Sequence, residues 1–97
     1  MAEYRIIYGN DFLRDLKKII KGGDKKIKER VSNIVGQLKK EPHKKRSGLD
    51  IKLISPRKEA VYRVRISKYR MVYEIDEKEK KIFLTMIFLK TSEQDYH

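Results

Sequence analysis

The hydrophobic period of the chain changes along its length. Residues 4–8, YRIIY, are short and β-prone and predict a first strand. From Asn10 the spacing becomes helical: Phe12, Leu16, Ile19 and Ile20 recur on one face, with Leu13 beside them. Asn10 or Asp11 is expected to cap this helix, because a short side-chain oxygen accepts from an orphan backbone N–H. Gly22-Gly23 is expected to end it, glycine taking the left-handed exit at no steric cost. A second helical pattern starts at Asp24, with Ile27, Val31, Ile34, Val35 and Leu38 on one face and lysines on the other. Gly36 costs that helix about 1 kcal/mol against alanine, so a closely packed neighbour is expected there. Pro42 closes the segment, and the short connection predicts a helical hairpin over 10–41.

Beyond Pro42 the period falls to two. Residues 60–66, 70–76 and 81–89 read as strands, joined by a tight turn at Ser67-Lys68-Tyr69 and a charged loop from Asp76 to Lys80. The stretch IKLI at 51–54 has the composition of a further short strand. The predicted order is β-α-α-β-β-β, an α+β fold in one domain over 1–97, with the hairpin on one face of a mainly antiparallel sheet. Alternation puts Tyr62, Val64 and Ile66 on one side of their strand, Met71, Tyr73 and Ile75 on one side of the next, and Leu84, Met86 and Phe88 on one side of the last. Ile27, Val31, Ile34, Leu38, Val64, Met71, Tyr73, Leu84 and Met86 are the expected core. Arg63, Arg65 and Arg70 fall on the opposite face, with Val61, Val72 and Glu74.

Charge sharpens this picture. The 97 residues carry a formal net charge of +11. Residues 39–70 hold twelve Lys/Arg against three Asp/Glu, a net of +9, so a third of the chain carries most of the field. Such a field calls for an anionic partner. There is no cysteine, which removes disulfides, thiolate metal sites and a cysteine nucleophile. With only His43 and His97, no histidine-based metal cluster is expected. No apolar run reaches the roughly 20 residues of a membrane span. Charged residues begin at Glu3, against a signal peptide. The expectation is a soluble cytoplasmic protein without metal or small-molecule cofactor.

Three arginines in the most strand-like stretch need a reason. A solvated sheet face is the plain one. An anion site is the sharper one: guanidinium groups repel each other, Glu74 is the only obvious local counter-charge, and the planar fork of arginine matches phosphate. Rigid strands fix their spacing. The run His43-Lys44-Lys45-Arg46 is either a solvated loop or a contact to a nucleic-acid backbone, and Lys52 adds to that basic surface.

The stretch YRVRISKYRMVYEID, with its Tyr-Arg-x-Arg and Tyr-Arg-x-x-Tyr elements, resembles the RelE/ParE superfamily, the toxins of type II toxin–antitoxin modules. The resemblance extends over nearly the whole chain. It implies an acidic antitoxin as partner and one of two activities. The RelE branch cleaves mRNA on the ribosome without metal. The ParE branch inhibits DNA gyrase. A weakened member that still binds its antitoxin is a third outcome.

For RelE-type cleavage, the ribose 2′-OH attacks the adjacent phosphorus and the 5′-oxygen leaves. The resemblance carries Arg63 and Arg65, Arg70, Lys90 and Tyr96 into the catalytic set, with Lys44, Lys45, Arg46 and Lys52 as RNA or ribosome contacts. Arg70 would stabilise transition-state charge. Arg63 and Arg65 would clamp phosphate, since arginine cannot serve as a base. Lys90, where relatives often carry arginine, would protonate the leaving oxygen. Tyr96 would stack on a base or activate the 2′-OH. His97 titrates near neutrality but sits at the chain end, where ordinary fraying is the plainer expectation.

Overall fold

A computed structural model describes residues 3–55 and 60–90. Its elements are β1 (Arg5–Tyr8), α1 (Asn10–Lys21), α2 (Ile27–Leu38), β2 (Ile51–Ser55), β3 (Ala60–Ile66), β4 (Tyr69–Asp76) and β5 (Lys81–Leu89). IKLI is therefore a full member of the sheet, which has five strands in the order β1-β5-β4-β3-β2. The β2–β3, β3–β4 and β4–β5 pairs are antiparallel, and β1 joins β5 in parallel. The helices cover one face. Phe12 from α1 and Ile27, Val31, Ile34, Val35 and Leu38 from α2 pack there with Val64, Met71, Tyr73, Ile75, Ile82 and Leu84.

Local chemistry explains most of the boundaries. Gly9, not Asn10 or Asp11, occupies the N-cap of α1, and no side chain caps that helix. The reason is steric: a Cβ at Gly9 would lie 2.6 Å from the Leu84 carbonyl oxygen. Only glycine lets the chain turn from β1 into α1 while pressed against β5, and Gly9 N–H donates to that same carbonyl at 3.0 Å. Gly22 stays right-handed, while Gly23, at φ 111°, makes the left-handed exit expected of the pair. The second helix begins at Ile27 rather than Asp24, with Lys26 at its N-cap, and the Asp24 carboxylate accepts from Ile27 N–H at 3.2 Å. Gly36 overturns its expectation: it is exposed, and a Cβ there would meet nothing within 4 Å.

The strand alternation holds on β3 and β4 and breaks on β5. Val72 pairs with Met86, but Tyr73 pairs with Leu84, so Thr85 is an extra residue in the ladder. A bulge of this kind reverses the facing of everything beyond it. Ile82, Leu84 and Ile87 are the buried residues of β5, while Met86, expected in the core, is half-buried and shares a face with Phe83 and Phe88. The Asp15 carboxylate on α1 accepts from Ile87 N–H just past the bulge, at 3.4 Å.

Candidate functional site

The face of the sheet turned away from the helices is ordered in rows by the strand register. One row is Arg65, Arg70 and Phe88. The next is Lys52, Arg63, Val72 and Met86. A third is Val61, Glu74, Phe83 and Ile7. Same-face rows lie two residues apart, about 7 Å. Arg63, Arg65 and Arg70 thus sit together, with Arg65 directly opposite Arg70. Strand parity carries Lys90, whose N–H donates to the Lys68 carbonyl at 3.0 Å, beyond Phe88 on this same face. Tyr96 and His97 lie outside the described residues.

The β3–β4 turn fixes this geometry. Ile66 pairs with Tyr69, leaving Ser67 and Lys68 as the turn, and Ser67 takes φ 56°, a left-handed conformation that serine rarely adopts. Arg70 follows immediately on a central strand. Its residue is only 7% exposed, its Nη1 donates to the Tyr69 carbonyl at 3.1 Å, and its Nε is buried with no acceptor. Burial lowers the Arg70 pKa from its ordinary value, and the Arg63 and Arg65 charges lower it further, against a small opposing pull from Asp50. Arginine nevertheless stays cationic at any physiological pH. Neither Arg65 nor Arg70 forms an ion pair with a carboxylate among the described residues. A like-charged cross-strand pair is destabilising by itself. Two cations held opposite one another, one buried with an Nε that meets no acceptor among the described residues, are what an incoming anion could neutralise.

The basic loop approaches the same end of the sheet. Lys45, Arg46, Gly48, Leu49 and Asp50 line a groove of about 360 Å³ with Arg65 and Ser67. Arg46 is held by the Lys44 and Glu41 carbonyls at 2.6 and 3.1 Å, and Lys45 lies 3.7 Å from Asp50. Lys44 is exposed, and Lys52 stands opposite Arg63.

His43, expected as an ordinary loop residue, instead ties three parts of the chain together. Its Nδ1 is 3.0 Å from Glu41, and its Nε2 contacts Glu77 in the β4–β5 turn. Tyr4 OH donates to the other Glu77 oxygen at 2.7 Å, and Lys80 lies 3.6 Å from Glu77. His43 meets Tyr4 and Tyr62 edge-on, and Tyr62 stacks on Tyr73. Below them Tyr73 OH donates to the Pro42 carbonyl at 2.8 Å. Burial pushes the Tyr4, Tyr62 and Tyr73 phenols up, with Glu77 adding to the rise at Tyr4 and Tyr62, so none offers a phenolate base near neutrality. Burial acts against the Glu41 and Glu77 carboxylates, but hydrogen bonds outweigh it and hold both below the ordinary 4.5. His43 and the Lys44 N–H supply them at Glu41, and Tyr4 and His43 at Glu77. This network lies at Tyr62, on the helix side of β3, and not among the arginines.

Sequence reasoning missed Ser67, Asp50 and the row of Glu74 and Phe83. Positive φ at a serine leaves no compositional mark. Phe83 was assigned to the face opposite Phe88 because the bulge between them is invisible to strict alternation.

The comparisons with known proteins agree with this architecture. A family model described as the ParE toxin of type II toxin–antitoxin system, parDE, matches residues 4–94. No curated protein matches. Among solved structures, the RelE of the archaeal RelE–RelB complex from Pyrococcus horikoshii OT3 is similar with a TM-score of 0.75 at 20% identity, over 90% of this chain and 94% of that one. The toxin–antitoxin complex RelBE2 from Mycobacterium tuberculosis gives 0.69 at 20% identity, over 92% and 100%. A metal-bound toxin from Helicobacter pylori gives 0.72 at 19% identity, over 92% and 94%.

Proposed function

The chain belongs to the ParE toxin family of type II toxin–antitoxin systems, within the RelE/ParE superfamily, and from that premise we propose that it is an endoribonuclease that cuts mRNA on the ribosome. The observation that carries the proposal is the arginine pair at Arg65 and Arg70, which meets no carboxylate among the described residues, beside Arg63 on a rigid sheet face. A surface meant only for solvation gains nothing from burying a guanidinium among its own kind.

In the proposed reaction the ribose 2′-oxygen forms a bond to the adjacent phosphorus as its proton is withdrawn, and the bond from phosphorus to the 5′-oxygen breaks. The products are a 2′,3′-cyclic phosphate and a 5′-hydroxyl. Charge accumulates on the non-bridging oxygens, and Arg70 is the donor fixed to meet it. Arg63 and Arg65 orient the phosphate. Lys90 delivers a proton to the departing oxygen. Tyr96 would stack on a base or assist the 2′-OH. Lys44, Lys45, Arg46 and Lys52 extend the contact along the backbone, where each neutralised phosphate contributes salt-dependent affinity. No cofactor is required.

The partner that restrains the protein is an acidic antitoxin, a reading supported by the similar folds of the RelE–RelB complex and the RelBE2 toxin–antitoxin complex. A groove of about 720 Å³ with an apolar floor of Ile19, Tyr69 and Leu89 and a rim of Lys25, Lys26 and Lys68 suits an acidic amphipathic segment. The cytoplasm is the compartment where such a pair would act, and no helix among the described residues is long and apolar enough to cross a membrane.

The deciding experiment is single-turnover cleavage of mRNA on programmed ribosomes, set beside a DNA gyrase supercoiling assay. Cleavage by the parent supports the nuclease. Gyrase inhibition without cleavage favours the second reading, a ParE-like gyrase inhibitor, to which the name of the matching family points. A protein that does neither and still binds its antitoxin is the weakened member.

A further inference from the structure

The third row of the open sheet face has no part in the reaction above. Phe83 is 44% exposed there, unusual for a phenylalanine in the middle of a sheet. Glu74 stands directly opposite it on β4, and the two line a small cavity of about 110 Å³ with Ile7, Asp76 and Lys81. Asp76 is engaged in the β4–β5 turn, accepting from Glu79 N–H at 3.1 Å, and it pairs in register with Lys81. Glu74 makes no hydrogen bond or ion pair among the described residues. The cavity therefore offers one aromatic wall and one uncommitted carboxylate. It lies one row, about 7 Å, from Arg63 and two rows from Arg65 and Arg70, on the same face. That step is close to the length of one nucleotide unit.

We propose that this cavity is a base-reading subsite. It seats the base of a nucleotide next to the phosphate held by the arginines, stacked on Phe83, with its amino N–H groups donated to Glu74. The inference rests on the nuclease reading and deepens it by naming the residues that set base preference. An ionised carboxylate is an acceptor only. Guanine, cytosine and adenine each present amino donors to it, whereas uracil offers only its N3–H, flanked on both sides by carbonyl oxygens that repel the carboxylate. Stacking on Phe83 adds affinity for every base, since every base has a π-face. The predicted preference is for amino-bearing bases over uracil at this one position. The bulge at Thr85 makes the arrangement possible, because it puts Phe83 on the side of the sheet that carries the arginines and Phe88.

The test uses short, fluorescently labelled RNAs made uncleavable by a 2′-deoxy substitution and differing in one base. Affinities are measured for the parent, Glu74→Gln and Phe83→Ala, together with base-resolved cleavage profiles on ribosomes. The parent should bind the amino-bearing versions about tenfold more tightly than the uracil version, the lower range for one good side-chain–base pair. Glu74→Gln, isosteric but able to donate as well as accept, should erase most of that ratio. Phe83→Ala should weaken all versions by about tenfold and leave the ratio in place. Because Phe83 is exposed, its truncation tests stacking without opening the core, and Glu74→Gln changes no volume. If the parent does not discriminate, or both variants keep its affinities and cleavage profile, the subsite is wrong while the nuclease reading stands. If the parent discriminates as described but never cleaves, the nuclease reading fails and the subsite survives it. If the variants leave RNA untouched and instead weaken antitoxin binding, the cavity is a protein contact and the proposal is overturned.

Discussion

Two charged clusters in this small protein are built on opposite terms. Around His43 the charges are answered: Glu41 and Glu77 meet the imidazole from two sides, Tyr4 and Lys80 close the remaining positions on Glu77, and the Tyr73 hydroxyl holds the Pro42 carbonyl beneath. On the open sheet face Arg65 and Arg70 are opposed, Arg70 is nearly buried, and neither meets a carboxylate among the described residues. Both clusters crowd charged side chains together, so proximity alone does not separate a strut from a receptor. Completion does. A cluster whose hydrogen bonds close on themselves contributes to the fold, and one left open among the described residues is where the proposed function puts its ligand.

The sharpest way to break this contrast is at Arg70. Arg70→Ala should lower single-turnover cleavage about 10²–10³-fold, the usual loss for one preorganised donor. RNA binding and thermal stability should change little, because relief of repulsion offsets lost packing. Arg70→Lys should recover only part of the rate, as an ammonium lacks the fork. If Arg70→Ala cleaves like the parent, the open cluster is not the reactive one.

The closed cluster should respond in the reverse sense. Tyr73→Phe leaves a buried Pro42 carbonyl without its donor and should cost about 1–3 kcal/mol in urea unfolding, with cleavage per folded molecule unchanged. A smaller effect belongs to the groove that joins the loop to Arg65. Lys45→Ala should weaken RNA binding alike for all sequences and reduce the slope of log affinity against log salt by about 1. The smallest effect concerns acid. Glu41 and Glu77 have depressed carboxylate pKa values, so their contribution to stability is fully present above the ordinary 4.5 and is lost as pH falls through the depressed values. Glu77→Gln should flatten that limb of the stability-versus-pH curve and leave the neutral plateau nearly unmoved, since both carboxylates are solvent-accessible. An unchanged acid limb would mean that the His43 clasp is not closed in solution.

What could be read from the sequence follows from the range of each interaction. The helices and strands were legible because their periods are local. The arginine face was legible because β3 and β4 keep strict alternation through a two-residue turn. The burial of Met86 was misjudged for a single cause: one extra residue at Thr85 reverses the strand, and nothing in LTMIF marks it. Gly9 was missed because its constraint is the Leu84 carbonyl, far away in sequence. His43 was read as a loop residue because its partner Glu77 lies beyond three intervening strands. Gly36 shows the converse error, where a helix glycine was given a packing reason that the open surface around it does not support.

The parallel pairing of β1 with β5 also has a consequence for synthesis. Arg5 pairs with Lys81 and Tyr8 with Leu84, so β1 has its place in the sheet only after β5 has been made. Until then Ile6 and Ile7 have no neighbouring strand, and β4 shows a bare edge where β5 will lie. At about 5–20 residues per second the nascent chain spends several seconds in that unfinished state. A ribosome that stalls before residue 81 releases a chain that has its arginines but lacks the strand bearing Phe83 and the wall that seats α1. The sheet, and with it the face that carries the arginines, is therefore complete only once β5 has been translated.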